Sequence, residues 1–127
     1  SQLIRSEKNE IIMDSYNANP SSMNEALVNF NMLRYDNKVL ILGDMLELGA
    51  ISEEEHQRIC DMICSMESIK EIILVGDNFY RCTISKGVKF RNVEDARRYL
   101  LDNEIKGSLL LIKGSRRVGL ENLLDLL

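Results

Sequence analysis

The sequence predicts an α/β domain in three layers, with helices on both faces of an open, mostly parallel sheet. Two observations carry that expectation. Short apolar runs at 38–42, 72–75 and 109–112 each close on a glycine or a glycine-containing turn, the mark of strands buried on both faces. Between them, apolar residues recur at three- and four-residue spacing, the period of helices laid against such a sheet.

Taken in order, Leu3-Ile4 and Ile11-Ile12-Met13 flank a polar stretch and predict an entering strand or hairpin. Residues 14–20 are too rich in small polar side chains to prolong a strand and read as a loop. Asn19 followed by Pro20 supplies a cap and a first-turn residue, and Met23, Ala26, Leu27 and Phe30 follow at helical spacing, so a helix is expected over 20–33. The run 38–42 is the first buried strand, ended by Gly43-Asp44. Ser52 and Glu55 form an S-x-x-E capping box for the next helix, whose inner stripe is Ile59, Ile63 and Met66 and whose acidic start suits its positive end. Ile72 to Gly76 repeats the strand-then-glycine pattern, with a loop at Asp77-Asn78 and a short strand near 88–90. Asn92 caps a helix carrying Val93, Ala96, Tyr99 and Leu100. Residues 109–112 form a further buried strand, Lys113-Gly114-Ser115-Arg116-Arg117 ends it, and Leu120, Leu123, Leu124 and Leu127 predict a closing helix. Right-handed crossovers join these strands into a Rossmann-like sheet. The loops 14–20, 43–49, 76–78 and 113–117 then share one edge, at the strand carboxyl ends where open α/β sheets bind ligands.

A chain of 127 residues supports one domain with one substantial core, spanning 1–127. Hydrophobic residues at 45% and charged residues at 28% suit a soluble globular protein, and a formal net charge of -4 gives no electrostatic reason to bind nucleic acid or an anionic membrane. No apolar run is long enough to span a bilayer and the first residues do not form a signal peptide, so a cytoplasmic location is expected. Cys60, Cys64 and Cys82 are odd in number and lack paired C-x2-C spacing, which predicts free thiols. His56, Cys60 and Cys64 share one side of a helix beside its core stripe but offer no fourth metal ligand, and the cysteines read as small buried residues.

Two loops carry chemistry. Asp14 at a strand end suits a ribose hydroxyl, although Asp14, Asn17 and Asn19 equally suit the capping of turns and of the helix that follows. Lys113-Gly114-Ser115-Arg116 offers two cations, a hydroxyl and a glycine for a carboxylate or phosphate, against the reading of a solvated basic turn. Neither G-x-x-x-x-G-K-[ST] nor G-x-G-x-x-G occurs, so the chain has no motif to cradle a triphosphate by itself.

Three strings in order, D-S-Y-N-A-N-P at 14–20, G-D-M-L-E-L-G at 43–49 with His56 after it, and K-G-S-R at 113–116, resemble the carboxy-terminal domain of the Mur ligases over essentially the whole chain. The first string marks the branch that adds D-alanyl-D-alanine to the UDP-N-acetylmuramoyl-tripeptide precursor of peptidoglycan. The resemblance implies a bacterial cytoplasmic enzyme of three domains: an N-terminal UDP-binding domain, a central ATPase domain with the phosphate loop and magnesium ligands, and a third that closes over them. ATP would activate the precursor carboxylate as an acyl phosphate, which the dipeptide amine attacks. Carried over by motif position, Asp14, Tyr16, Asn17 and Asn19 would face ATP; Lys113, Ser115 and Arg116 would face D-Ala-D-Ala, and Asp77 and Asn78 lie loosely where a related ligase keeps an amino-acid-binding motif. ATP and Mg2+ would then be used by the full-length enzyme, with neither held tightly by this domain alone. Two other readings share the fold: a folylpolyglutamate synthetase-like ligase domain, whose signature loop differs, and a freestanding α/β binding or receiver-like module, for which Asp44 alone is not an acidic cluster.

Overall fold

The computed structural model describes residues 1–14 and 17–127. One six-stranded sheet runs through them in the order β1-β2-β6-β3-β4-β5, with β1 (Gln2–Arg5), β2 (Glu10–Asp14), β3 (Lys38–Gly43), β4 (Ile69–Val75), β5 (Val88–Phe90) and β6 (Leu109–Lys113). The opening pair is the expected hairpin, antiparallel with Leu3 opposite Ile12, and the remaining neighbours pair parallel. The helices are α1 (Pro20–Met32), α2 (Ser52–Cys64), α3 (Asp77–Tyr80) and α4 (Val93–Asp102), with 3-10 turns at Gly49–Ile51, Arg116–Val118 and Leu120–Leu126.

Strand alternation divides the core in two. Leu40, Leu42, Ile72, Leu74, Leu109 and Leu111 face α1 and α2, against Met23, Leu27, Phe30, Ile59 and Ile63. Val39, Ile41, Ile73, Val75, Leu110 and Ile112 face α4 and the chain end, against Ala96, Leu100, Leu120 and Leu123. β2 and β3 therefore send their connections to one face of the sheet, while β6, lying between them, sends its own to the other. Such reversals open crevices at the carboxyl edge, here one on each side of the loop after β6.

Three local expectations are corrected. Helix α1 ends about where expected, at Met32 with Leu33 as its cap, where the buried Lys38 ammonium donates to the carbonyls of Phe30, Asn31 and Leu33 at 2.9, 2.9 and 2.7 Å. A cation there complements the negative helix end, and burial lowers the Lys38 pKa from its ordinary value. Ser52 does not cap α2, since the 3-10 turn Gly49–Ile51 runs straight into the helix and leaves Ile51 at the cap position without a side-chain bond. The Asp77-Asn78 loop is instead the start of α3. The closing segment is 3-10 and not α-helical: Gly119 turns left-handed at φ 80°, and buried Leu120 and Leu123 recur at three-residue spacing, the 3-10 period. Cys60, Cys64 and Cys82 are free thiols. Among the described residues no helix is long and apolar enough to cross a membrane.

Candidate functional site

The parallel ladder from β2 to β4 places four loops on one edge, in the spatial order 14–19, 113–117, 43–49, 76–78. Hydrogen bonds tie them in sequence. Lys113 Nζ lies 2.8 Å from Asp14 Oδ2 and donates to the Asn17 carbonyl at 3.1 Å. Ser115 N–H donates to the Asp44 carbonyl, and Leu46 N–H donates to Ser115 Oγ, each at 3.0 Å. The Asp44 carboxylate accepts from Asn78 N–H, Asn78 Nδ2 and Phe79 N–H at 2.9, 3.0 and 2.9 Å.

Glycine makes the tight approaches possible. A Cβ on Gly114 would come within 2.7 Å of Gly43 Cα, so the ends of β6 and β3 meet backbone to backbone. Gly76 sits at φ 128°, and a Cβ there would meet the Asp44 carboxylate carbon at 2.3 Å.

The loop 43–49 rests on His56, which is fully buried on the inner stripe of α2. Its Nε2 accepts Met45 N–H at 3.0 Å, while Nδ1 faces the Ser52 carbonyl at 2.7 Å. A ring that accepts at one nitrogen and donates from the other is the neutral tautomer with its proton on Nδ1. Phe79 packs edge-on against it at 4.7 Å. Farther along the same loop, Glu47 adopts a left-handed φ of 62°, a conformation other than glycine takes at a cost of about 1 kcal/mol or more. Neither Asp44 nor His56 was assigned a role from sequence. The readable signal was a histidine at i−3 and i−7 from Ile59 and Ile63, since a polar ring on an apolar stripe requires a partner.

The residues singled out by sequence fall into two groups on either side of β6. Asp14, Asn17, Asn19 and Lys113 lie on the β2 side, where a cleft of about 350 Å³ is walled by Ile12, Asp14, Ser22, Ala26 and Phe30. Asn19 accepts Ser22 N–H at 2.9 Å while Ser22 Oγ accepts Asn19 N–H, so its side chain is engaged as the α1 cap. Tyr16 lies outside the described residues. Ser115, Arg116, Asp77 and Asn78 lie on the β3 and β4 side, where a cleft of about 500 Å³ is walled by Leu46, Asp77, Arg91, Arg117 and Asn122. Asp77 faces Arg91 at 3.5 Å, Arg116 is exposed at the start of its turn, and the Asn78 amide is turned inward to Asp44 and Ser52.

Lys113 departs from expectation. Its side chain is 2% exposed and its ammonium is held by Asp14, so it is not presented to a ligand on the dipeptide side. A wider opening of about 930 Å³ between α2 and α3 is lined by Glu53, Glu54, Arg58, Asp61 and Arg81, and it includes none of the 14–19 or 113–117 loop. Among the described residues no group of three His, Cys, Asp or Glu side chains is placed to hold a metal ion, His56, Cys60 and Cys64 included.

With this geometry in place, the chain is similar to known proteins over nearly its whole length. The family model described as Mur ligase, glutamate ligase domain, matches residues 1–116. A UDP-N-acetylmuramoyl-tripeptide--D-alanyl-D-alanine ligase of Rickettsia prowazekii is 36% identical over 98% of this chain, and one of Treponema pallidum is 37% identical over 91%. The chain spans only 28% and 27% of those relatives. A crystal structure of MurF from Acinetobacter baumannii superposes with a TM-score of 0.82 at 27% identity, covering 98% of this chain and 28% of that one. MurF ligase from Thermotoga maritima in complex with ADP gives 0.79 at 21% identity over 98% and 29%, a likeness of fold.

Proposed function

The chain belongs to the Mur ligase family through its glutamate ligase domain, and from that premise we propose that it is the third, closing domain of a bacterial cytoplasmic ligase that joins D-alanyl-D-alanine to UDP-N-acetylmuramoyl-tripeptide. In this reading ATP phosphorylates the precursor's terminal carboxylate, the dipeptide amine attacks the acyl phosphate, and the tetrahedral intermediate loses phosphate. The phosphate loop belongs to the central domain and the precursor's nucleotide to the first. Magnesium belongs with the central domain as well.

What this chain contributes is position and the exclusion of water on closure. The carrying observation is Asp14: it ends β2 at the crevice beside β6, and its side chain remains 25% exposed while its partner Lys113 is sealed below it. A carboxylate so placed accepts ribose hydroxyls. On the opposite side of β6, Ser115 and exposed Arg116 lead into Arg117, which lines the second crevice, and a guanidinium there suits the dipeptide's carboxylate. Asp77 lies at the same mouth.

The test uses the full-length ligase that carries this domain. Asp14→Ala is expected to raise the KM for ATP about tenfold with the dipeptide KM little changed, and Arg116→Ala to do the reverse, each loss corresponding to one charge-assisted hydrogen bond. Equal effects of both variants on both substrates count against the division. The isolated chain is expected to release no phosphate from ATP in the presence of precursor and dipeptide, and phosphate release by it would overturn the reading.

A further inference from the structure

We propose that Lys113 is a positioning residue of the nucleotide loop, acting on ATP through Asp14. The inference rests on the functional reading of Asp14 given above.

Strand parity and register bring the two residues together. Leu109, Leu111 and Lys113 alternate onto the sheet face covered by α1, as do Ile12 and Asp14 of the neighbouring strand. The parallel ladder pairs Asp14 with Lys113 directly. Lys113 Nζ therefore sits beneath the first residue of the loop, 2.8 Å from Asp14 Oδ2, and reaches the carbonyl of Asn17 three residues on at 3.1 Å. One ammonium bridges the Asp14 carboxylate and the Asn17 carbonyl, and it holds the Asp14 side chain with a charge-assisted bond. The exposures have opposite senses: the Lys113 side chain is 2% exposed, the Asp14 side chain 25%, and Asn17 is exposed. A ligand arriving at this edge meets Asp14 and not the lysine under it.

The K-G-S-R string is thus divided. Lys113 turns toward β2, whereas Ser115 turns toward β3, its hydroxyl accepting Leu46 N–H and its own N–H reaching the Asp44 carbonyl. Through Lys113 and Ser115 the string ties Asp14 and Asn17 to Asp44 and Leu46, with Gly114 packed against Gly43 at the crossing point. An ordinary stabilising lysine would affect both substrates alike through the fold. A lysine that positions Asp14 would affect one.

The experiment measures KM for ATP and for D-Ala-D-Ala, and the Kd of a fluorescent ATP analogue, in the full-length ligase and its K113M, D14N and K113M/D14N variants. K113M is expected to raise the ATP KM and the analogue Kd about tenfold or more, the effect of losing one charge-assisted bond, while the dipeptide KM stays within about twofold. K113M/D14N is expected to be no worse than D14N alone by more than about twofold, since both changes act through one carboxylate. A raised dipeptide KM with unchanged analogue binding would overturn the inference in favour of direct dipeptide contact. So would losses that add fully in the double variant. Should K113M not fold, K113R is read by the same split, because its fork cannot place one donor between Asp14 and the Asn17 carbonyl. A wild-type enzyme that binds the analogue yet joins no dipeptide would refute the function proposed for the domain, and the analogue titration would still decide the role of Lys113.

Discussion

Asp14 and Asp44 stand at the carboxyl edge of the same sheet, one on each side of β6, and their surroundings differ sharply. Asp44 is 4% exposed and takes three N–H donors from the start of α3, against the neutral His56 ring whose Nε2 is 4.0 Å away. Asp14 is held by the Lys113 ammonium beneath it, and its side chain stays 25% exposed. Both stand at the end of apolar strands and both lie in recognisable motifs, yet one carboxylate is consumed by the fold and the other is kept reachable. What separates a framework acid from one left open to solvent here is the supply of backbone donors, which the chain alone does not reveal.

The comparison is broken most directly by making the same change at both positions. Asp44→Asn forces an amide N–H2 toward donors that need acceptors, stranding buried N–H groups, and is expected to lower unfolding stability by about 3 kcal/mol. Asp14→Asn keeps an oxygen for Lys113 at a partly solvated site, and its expected cost is about 1 kcal/mol. Urea unfolding of the two variants beside the unsubstituted protein measures both. Equal losses would show that Asp14 is as much a part of the framework as Asp44.

A second substitution sharpens the Asp44 side. Gly76→Ala places a methyl group against the Asp44 carboxylate and asks alanine to hold φ 128°, for an expected loss of about 2 kcal/mol. The steric share of that loss involves Asp44, so the two variants are coupled. In an Asp44→Ala background the same glycine change should cost about 1 kcal/mol, the backbone strain alone, as a double-mutant cycle by thermal unfolding would report. Additive losses would mean that the close approach of Gly76 and Asp44 carries no energetic weight.

The sheet and both core layers were legible because buried parallel strands announce themselves as apolar runs, as at Leu40 to Leu42 and Leu109 to Ile112. The Asn19-Pro20 start was legible because capping is local. The capping box at Ser52 failed since a 3-10 turn precedes the helix, and the Ser52 hydroxyl is drawn instead to Asn78 and His56. At the chain end, leucines spaced for an α-helix also fit the 3-10 period, and Gly119 decided between them. The motif loops were placed on the correct edge, but the orientation of Lys113 was not foreseen, although its parity with Leu109 and Leu111 already marked it for the covered face. The bond from Met45 to His56 joins residues that no local pattern links.

The smallest expected effect concerns the thiols on α2 and beyond it, where the buried framework again meets the surface. Burial pushes the Cys60 thiol far up, reinforced by neighbouring Cys82, and burial raises Cys82 as well. Cys64 is also pushed up by burial, but hydrogen bonds at Ser85 and the nearby Lys86 charge more than offset this and leave it below the ordinary thiol range. It is also the one partly exposed cysteine of the three. Because the thiolate is the reacting form, Cys64 is expected to combine with a disulfide reagent first and with a rate that rises as pH climbs toward the ordinary thiol range, while Cys60 and Cys82 wait on opening of the fold. Mass spectrometry of the partly modified protein locates the adduct. The Asp44→Asn variant then links this to the larger contrast, because loosening α3 should quicken the reaction of Cys82, whose sulfur donates to the Asn78 carbonyl, while leaving Cys64 at its original rate. Modification of Cys82 at an unchanged rate would mean that the Asp44 contacts hold α3 less firmly than their geometry indicates.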